Sequence, residues 1–276
     1  MIITACQRWR ARRESYRPAR EAFDVRAHEV CRMLPGGPAG DAKDFVERHH
    51  YSGTCSSTCR VFGLFEHAEL VGVAIFGQPV TGATLDILPC PREQALELGR
   101  LVLLDRVGAN AESWFVARAF DLLGADGYAG VVSFADPEPR TTLTGAVVFG
   151  GHAGTVYQAL GAIYTGRGSA DTQYLFPSGQ AFTKRAAAKI RGRESGWRYA
   201  VAQLVEAGAT PPGEGEDMRL WLERERERTT RRRRHRGCFR YIWGLDRTTK
   251  RLLVPHLAAR GLAPQTYPKL ILRPCS

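Results

Sequence analysis

The stretch LGRLVLLDRVGANAES, residues 98–113, constrains the fold more than any other part of the chain. Its apolar run, Leu101–Leu104, stops at a charged pair, and a turn of small residues follows before an amphipathic segment begins. This pattern predicts a strand, a tight turn and the start of a helix in direct succession.

The periodicity on either side of this stretch predicts the other elements. Alternating apolar and polar residues over 59–80 predict a β-hairpin with its turn near residues 66–69, and the helical spacing over 110–127 predicts a helix. The order hairpin, strand, turn, helix, strand, helix predicts an α/β fold with a mixed central β-sheet flanked by helices. The remaining predicted elements are helices over 16–34, 40–53, 151–166 and the start of 218–237, and strands over 128–137 and 238–246.

Composition shifts along the chain predict three segments. An Arg-rich N-terminal segment, residues 1–40, ends in a Pro- and Gly-rich loop, and a catalytic core is expected over 41–185. Residues 186–276 are predicted to form a basic α/β extension that packs on this core and contacts DNA. Seven scattered cysteines favour reduced thiols over a disulfide framework. No run is apolar enough for a membrane span or signal peptide, so a cytoplasmic protein is expected.

The charge balance favours a polyanionic partner. The chain has 39 Lys and Arg against 28 Asp and Glu, a net charge of +11, and nearly all of the excess is Arg. A GC-rich genome accounts for part of the Arg preference but not for the sign of the charge, which favours nucleic acid. The run RRRRHR, residues 231–236, is either a solvated basic segment or a phosphate-binding one, and the second is preferred here. The predicted DNA-binding residues are Arg231, Arg232, Arg233, Arg234 and Arg236.

Several segments in order resemble the Mom family of phage DNA-modification proteins. They are HHYSG, ELGRLVL, NAESWFVARAF, GVVSFADP, GTVYQALGAIYTG and FRYIWGLD…TYPK, which together span roughly Phe45 to Lys269. The resemblance implies a GNAT-like fold that converts the exocyclic amine of adenine in duplex DNA to an acetamido (carbamoylmethyl) derivative. Such a modification shields DNA from restriction enzymes, and a phage-encoded protein of this kind would act in the cytoplasm of the bacterial host.

The turn at 105–110 is similar to the loop that receives the pyrophosphate of coenzyme A in GNAT acyltransferases. A helix start presents N–H groups without intrahelical partners and a positive dipole end, which suits an anion. The resemblance places the donor at Arg106, Gly108, Ala109, Asn110 and Ser113, although Ser113 is an equally good helix cap. The usual signature of Arg or Gln, then Gly, then Gly or Ala, is degenerate in this chain.

Five side chains are the candidate catalytic residues. The resemblance assigns an essential pair to His50 and Tyr51 and brings Arg100 to the active site, while an ion pair within the fold is the structural alternative for Arg100. Asp136 ends a strand, where α/β sheets open towards a cleft. Tyr157 occupies the position of the GNAT tyrosine that protonates a leaving thiolate, or is a packed aromatic residue.

The same residues raise the question of a metal. His50, Tyr51 and Asp136 offer one imidazole and two hard oxygens, a set suited to iron, while His50 or Asp136 alternatively accepts a proton from the adenine amine. Cys55 and Cys59 have a spacing that matches structural zinc poorly.

The chemistry of the product does not identify the donor molecule. Acetyl transfer attaches through a carbonyl carbon, whereas the acetamido product attaches through a methylene group. The donor is therefore acyl-CoA with a metal or radical step, or a glycine-derived small molecule. The other functions considered are a conventional acetyl-CoA-dependent N-acetyltransferase on a protein or small molecule, and a non-catalytic DNA-binding protein with a GNAT-like core. A homodimer is a further open alternative.

Overall fold

The computed structural model describes residues 5–10, 13–18, 23–34, 39–55 and 58–269, with side chains described for 23–34, 42–55 and 58–269. The strands are β1 (Ala5–Arg10), β2 (Arg13–Pro18), β3 (His28–Arg32), β4 (Arg60–Glu66), β5 (Glu69–Gly77), β6 (Ala95–Leu103), β7 (Gly130–Ala135), β8 (Arg140–Thr141), β9 (Val147–Phe149), β10 (Ile163–Arg167), β11 (Asp171–Leu175), β12 (Ala181–Phe182), β13 (Arg231–His235) and β14 (Phe239–Gly244). The α-helices are α1 (Ala39–His49), α2 (Ala111–Ala125), α3 (Thr155–Ala159), α4 (Lys184–Gly192), α5 (Trp197–Glu206), α6 (Met218–Thr229) and α7 (Arg247–Ala259). Short 3-10 helices cover Val25–Ala27, Gly82–Ile87 and Arg92–Gln94.

The chain forms two compact units that alternate along the sequence. Unit 1 comprises residues 1–137, 151–168 and 238–276, and unit 2 comprises residues 138–150 and 169–237. The sequence instead predicted consecutive segments with boundaries after residues 40 and 185. The difference arises because β14 and α7, far along the chain, belong to the same unit as β3 to β7.

Unit 1 is built around a seven-stranded sheet in the order β10-β14-β7-β6-β5-β4-β3. All neighbours pair antiparallel except β6 and β7, which are parallel. Along β5, Ala74 and Phe76 pack in the cluster that contains α2 and α3, whereas Val73 and Ile75 pack in the cluster that contains α1. Helix α7 packs on β7 and β14 in a further cluster. The predicted α/β class, a mixed central sheet flanked by helices, is confirmed.

The parallel pair β6 and β7 separates halfway along its length. The register runs from Ala95–Gly130 to Leu98–Ser133, after which β6 continues to pair with β5 and β7 with β14. Gly99 is an extra residue in β6, because Ile75 lies opposite Arg100 and Phe76 lies opposite Leu98. Such a β-bulge bends its strand and re-aims the next side chain, so the site begins at this opening.

Unit 2 combines a small sheet with three helices. Its strands lie in the order β12-β11-β13, and β8 pairs with β9. The inner faces of α4, α5 and α6 share one apolar core, in which Ile190, Leu204 and Trp221 are fully buried.

Two local predictions were wrong. Residues 28–32, expected to be helical, form β3, because pairing with the edge of β4 gives this segment a hydrogen-bonded ladder. The helix expected over 151–166 ends at residue 159; Gly161, at φ 67°, turns the chain, and Ile163–Arg167 becomes β10. The basic run forms a strand, β13. No helix among the described residues is long and apolar enough to cross a membrane.

Candidate active site

Arg100, directly after the bulge in β6, holds the loop that follows α1. Its guanidinium donates from Nε to the Thr54 carbonyl at 2.8 Å and from a terminal nitrogen to the Thr54 hydroxyl at 3.2 Å. A third hydrogen bond of 2.6 Å reaches the Gly99 carbonyl. These acceptors are neutral, and within the described part of the chain no carboxylate lies within the 4.0 Å of an ion pair. The structural ion pair considered for Arg100 is therefore not observed there, and its positive charge sits half-buried beside the opening.

The loop that Arg100 holds also orients the ring of His50. The Ser52 backbone N–H donates to Nδ1 of His50 at 3.1 Å, and the Ser52 hydroxyl lies 2.8 Å from the same nitrogen. Ser52 therefore holds the His50 ring through Nδ1. The Ser52 hydroxyl in turn donates to the Thr54 carbonyl at 3.2 Å. One hydrogen-bonded network therefore joins His50 to Arg100.

Tyr157, on α3, is buried beside the opening between β6 and β7. Its hydroxyl lies near Ser133, whose own hydroxyl donates to the Leu98 carbonyl at 2.8 Å. Burial raises the pKa of Tyr157 above its ordinary value, and the contact with Ser133 opposes this only in part. The close approach of the ring depends on Gly154, at φ 71°, because a Cβ there would lie 2.8 Å from the Tyr157 ring.

Glu97 completes the polar group around Tyr157. Burial raises the pKa of this carboxyl, and the charge of Arg100 nearby opposes the shift only in part. A carboxylate with a raised pKa is a stronger base than an exposed one. Glu97 and Arg100 both act electrostatically on the Tyr157 hydroxyl, so an acid, a cation and a phenol share one small region.

Aromatic contacts connect the two halves of this region. The Tyr51 ring lies on the His50 ring with centroids 4.2 Å apart, and the His152 ring lies 6.2 Å from Tyr51 and 6.5 Å from Tyr157. The His152 backbone N–H donates to the Asp136 carbonyl at 2.8 Å, which ties the end of β7 to the same segment. His50, Tyr51, Arg100 and Tyr157 are thus linked side chain by side chain, and Asp136 is linked through its backbone.

In the loop before α2, the backbone is suited to bind a pyrophosphate, but the side chains are not. Asn110 adopts the left-handed conformation at φ 69°, and α2 starts directly after it, as expected. The Arg106 guanidinium, however, forms ion pairs with Glu66 and Glu69 on the β4–β5 hairpin. The Ser113 hydroxyl donates to the Asn110 carbonyl at 3.0 Å.

Two carboxylates make the same loop less suited to a polyanion. Asp105 lies within the loop, and Glu112, only 8% exposed, lies in the first turn of α2. A carboxylate at a helix start stabilises the helix dipole itself and repels a second anion there. Because Arg106 is engaged elsewhere, the side chains of this loop do not supply the cations that a pyrophosphate needs.

The basic strand β13 lies in unit 2, and its side chains alternate between two environments. Arg231 donates to the Thr141 carbonyl at 2.7 Å, and Arg233 donates to the Pro139 carbonyl and forms an ion pair with Glu138, both at 2.7 Å. Arg232 and Arg234 are exposed, and neither guanidinium has a hydrogen bond or ion pair among the described residues. Arg236 is exposed too, with its backbone N–H bonded to Glu138 at 2.9 Å. Arg232, Arg234 and Arg236 therefore have guanidinium groups available for phosphate, whereas one nitrogen of the exposed Arg231 is engaged by Thr141.

Comparison with known proteins identifies the family. The sequence profile of the Mom protein family matches residues 37–269. The chain belongs to the Mom protein family. No individually curated protein matches it significantly.

Some solved structures are weakly similar to this Mom-family chain. A Bacillus subtilis acetyltransferase in complex with CoA is 9% identical, with a TM-score of 0.33, and the match covers 79% of this chain and 98% of that one. A variant of agmatine N-acetyltransferase in its apo form is 11% identical, with a TM-score of 0.36 and coverages of 79% and 99%. An N-acetyltransferase from Staphylococcus aureus Mu50 is 12% identical, with a TM-score of 0.32 and coverages of 53% and 87%.

The iron ligands that the resemblance implies, His50, Tyr51 and Asp136, stay a prediction. Because Ser52 engages Nδ1 of His50, a metal ion would bind this ring through Nε2. The Tyr51 ring lies on the His50 imidazole.

The sequence analysis did not identify four residues of this site. Glu97 could have been identified, because it is a second charged residue within the apolar strand ALELGRLVL. Ser133, Thr54 and His152 could not, because their importance depends on the separation of β6 from β7 and on the loop after α1.

Proposed function

We propose that this protein converts the exocyclic amine of adenine in duplex DNA to its carbamoylmethyl derivative. Membership of the Mom family supports the reaction class, and the excess of arginine supports a nucleic-acid substrate. The observation that carries the proposal is the joined group of Arg100, Glu97 and Tyr157 where β6 and β7 separate. A cation, a base and a proton donor are what an amine substitution needs at one place.

In this proposal each group has a defined task. The amine nitrogen of adenine forms a bond to the methylene carbon of the donor, while the bond from that carbon to its leaving group breaks. Arg100, whose hydrogen-bond acceptors among the described residues are neutral, stabilises the negative charge that the leaving group takes up. Glu97 accepts the proton that the adenine amine loses. Tyr157, which stays protonated at neutral pH and above it, donates a proton to the leaving group. His50 orients the substrate through a hydrogen bond.

Asp136 and Tyr51 remain predicted site residues. The Asp136 carboxylate lies within 4.8 Å of the Cys238 thiol, on the segment that leads into the neighbouring strand β14. Tyr51, between His50 and His152, offers a ring face on which a flipped base can stack, since base-modifying enzymes must take the target base out of the duplex.

The donor that we favour is a small glycine-derived molecule. Arg106, the cation of the loop before α2, is held by Glu66 and Glu69 of the β4–β5 hairpin and not directed to a pyrophosphate. A glycine-derived donor also supplies the methylene attachment of the product directly.

Mass analysis of plasmid nucleosides tests the proposal. The protein and its Tyr157→Phe variant are expressed in a bacterium, together with Arg251→Ala, an exposed arginine on α7, as the matched control. The wild type and the control are expected to yield deoxyadenosine heavier by one carbamoylmethyl group, and Tyr157→Phe is expected to yield little. Unmodified DNA from well-folded wild-type protein would overturn the proposal.

A conventional N-acetyltransferase is the second candidate, because a buried tyrosine beside the opening also suits protonation of a thiolate. The same experiment separates the two functions. An acetyl group on a protein or small molecule, with unmodified DNA, would support the second candidate.

A further inference from the structure

Helices α4 and α5 of unit 2 are joined by a four-residue turn. Arg193 and Gly196, at φ 46° and 81°, adopt the left-handed conformation that lets the chain reverse. The Glu194 N–H donates to the Lys189 carbonyl at 3.0 Å, and the Trp197 N–H donates to the Glu194 carbonyl at 2.9 Å. Both helices bury their inner faces in the same core as α6. Two short helices joined by a four-residue turn have the connectivity of a helix-turn-helix motif.

The outer face of α5 presents side chains of the types that contact DNA bases. Arg198, Tyr199 and Ala202 are exposed, and the partly exposed Gln203 lies one turn after Tyr199. Tyr199 is 66% exposed. In the major groove Arg is suited to the acceptors of guanine, Gln to the donor and acceptor of adenine, and Ala to the thymine methyl group.

The position of these residues along α5 also fits base reading. The N-terminal residues of a recognition helix are the ones that contact base edges. Arg198 and Tyr199 lie in the first turn of α5, and Ala202 and Gln203 lie in the second. The exposed carboxylate of the same helix, Glu206, lies at its C-terminal end, away from the first turn.

The turn is surrounded by cations. Four of them have no carboxylate within ion-pair distance among the described residues: Lys189, Arg191, Arg193 and Arg198. The nearby Glu194 is paired with Arg185 at 2.7 Å. Arg193 and Arg198 both lie over the Trp197 ring, at 5.9 and 5.3 Å from its centroid. The cation–π contacts restrict both guanidinium groups without neutralising them.

The exposed arginines of β13 lie on the same face of the small sheet as these helices. Arg232 is opposite Tyr174 and Arg234 is opposite Thr172, so their side chains project to the Tyr174 side of the sheet. Tyr174 packs against the core that α4, α5 and α6 share, and Arg226 of α6 lies over its ring at 3.9 Å. The positive surface of unit 2 therefore includes both the turn and this strand.

We propose that α4, its turn and α5 form the element that reads the DNA sequence, with α5 in the major groove of the duplex. Arg198 and Gln203 contact base edges, while Arg191, Arg232 and Arg234 contact phosphates. The choice of duplex DNA rests on the proposed function. The assignment of sequence reading to this element goes beyond it.

Binding of the full chain to a short duplex with a randomised centre tests the assignment. Anisotropy titrations across salt concentrations give affinity and salt dependence, and sequencing of the bound fraction gives the preferred bases. The variants are Arg198→Lys, Gln203→Ala and Arg191→Ala, with Arg251→Ala on α7 of unit 1 as the control. The three arginines are exposed and Gln203 is partly exposed, so all four variants are expected to fold, and circular dichroism melts check this. If Gln203→Ala melts early, Arg198→Lys decides the assignment alone.

The two kinds of contact predict different losses. Arg198→Lys and Gln203→Ala should lower affinity for the preferred sequence by about 5- to 150-fold and relax the preference at one position each. Arg191→Ala should weaken binding to all sequences alike and reduce the log–log salt slope by about 0.9. Arg251→Ala should change neither quantity.

The measurements distinguish a failure of this inference from a failure of the proposed function. Unchanged affinity and preference in Arg198→Lys and Gln203→Ala, with a wild type that binds and modifies duplex DNA, would overturn this inference alone. An equal loss on every sequence would also overturn it, because it would reduce α5 to a phosphate contact. A wild type that does not bind duplex DNA, or that prefers single strands or RNA, would refute the duplex substrate and the proposed function together.

Discussion

Replacement of Arg100 by Met tests whether the charge beside the opening drives the reaction. Met keeps the aliphatic stem within β6 and removes the guanidinium, which donates three hydrogen bonds to Thr54 and Gly99. Arg100→Lys is the matched variant, because it restores the charge but not the planar fork.

The structure sets the expected magnitudes. A hydrogen bond from a charged donor contributes roughly 1.5–3 kcal/mol, but Arg100 is half-buried, and water can reach the acceptors that it leaves. The expected loss of unfolding free energy is therefore that of one such bond, about 2 kcal/mol. Loss of charge stabilisation in the transition state should lower the rate by about 10²–10³-fold.

Chemical denaturation and plasmid modification measure these two effects separately. Arg100→Lys should recover part of the activity if the positive charge of Arg100 accounts for its effect on the rate. It should recover little if the hydrogen bonds to Thr54 account for this effect. If Arg100→Met is destabilised by about 2 kcal/mol yet modifies DNA at the wild-type rate, Arg100 only holds the loop, and its role in catalysis is refuted.

Four other outcomes follow from the same geometry. Tyr157→Phe should reduce modification by about 10²–10⁴-fold at a stability cost of about 1 kcal/mol, and full activity on plasmid DNA would contradict its role as a proton donor. Gly154→Ala, strained at φ 71° and crowded by the Tyr157 ring, should lower both activity and melting temperature; an unshifted melt would argue against the crowding. Burial would raise the pKa of Glu225, but hydrogen bonds from two arginines and a backbone N–H lower it to about 2. Ionised Glu225 therefore stabilises the fold fully above its ordinary pKa of 4.5, and this stabilisation is lost as the pH falls towards 2. Glu225→Gln should remove this acid dependence from circular dichroism melts. Replacing both Arg232 and Arg234 with Ala should reduce the log–log salt slope of DNA binding by about 1.8. Replacing Arg231 and Arg233, which bond to other residues of the chain, should reduce this slope less.

Elements with their own periodic signal could be predicted from the sequence. The β4–β5 hairpin, β6, α2 and β7 were all expected, and the hairpin turn lies at His67 and Ala68 as predicted. Strands β3 and β10 were not, because each is stabilised chiefly by pairing with a strand distant in sequence. Their local propensity was a weaker guide than the ladder that tertiary structure offers them.

The candidate site was only partly predictable for a similar reason. Arg100 was found because a charge in an apolar strand needs an explanation, and the same argument applied to Glu97 would have found that residue too. The hydroxyl of Ser133 was not predictable, because its partners, Leu98 and Tyr157, come near it only where β6 and β7 separate. The orientation of the His50 ring depends on Ser52, two residues away, whose contacts with Nδ1 no composition or spacing reveals.

The basic run shows most clearly what a sequence withholds. Four identical arginines carry no hydrophobic periodicity, so the alternation of a strand cannot be seen in them. The structure divides them by partner: Arg231 and Arg233 bond to Thr141, Pro139 and Glu138, while Arg232 and Arg234 form no hydrogen bond or ion pair among the described residues. A run that looks uniform therefore has two tasks, since one set of side chains ties β13 to the segment before β9 and the other set gives the surface its charge. A count of the arginines in such a strand therefore overestimates its phosphate contacts, because the arginines that bond within the protein are counted too.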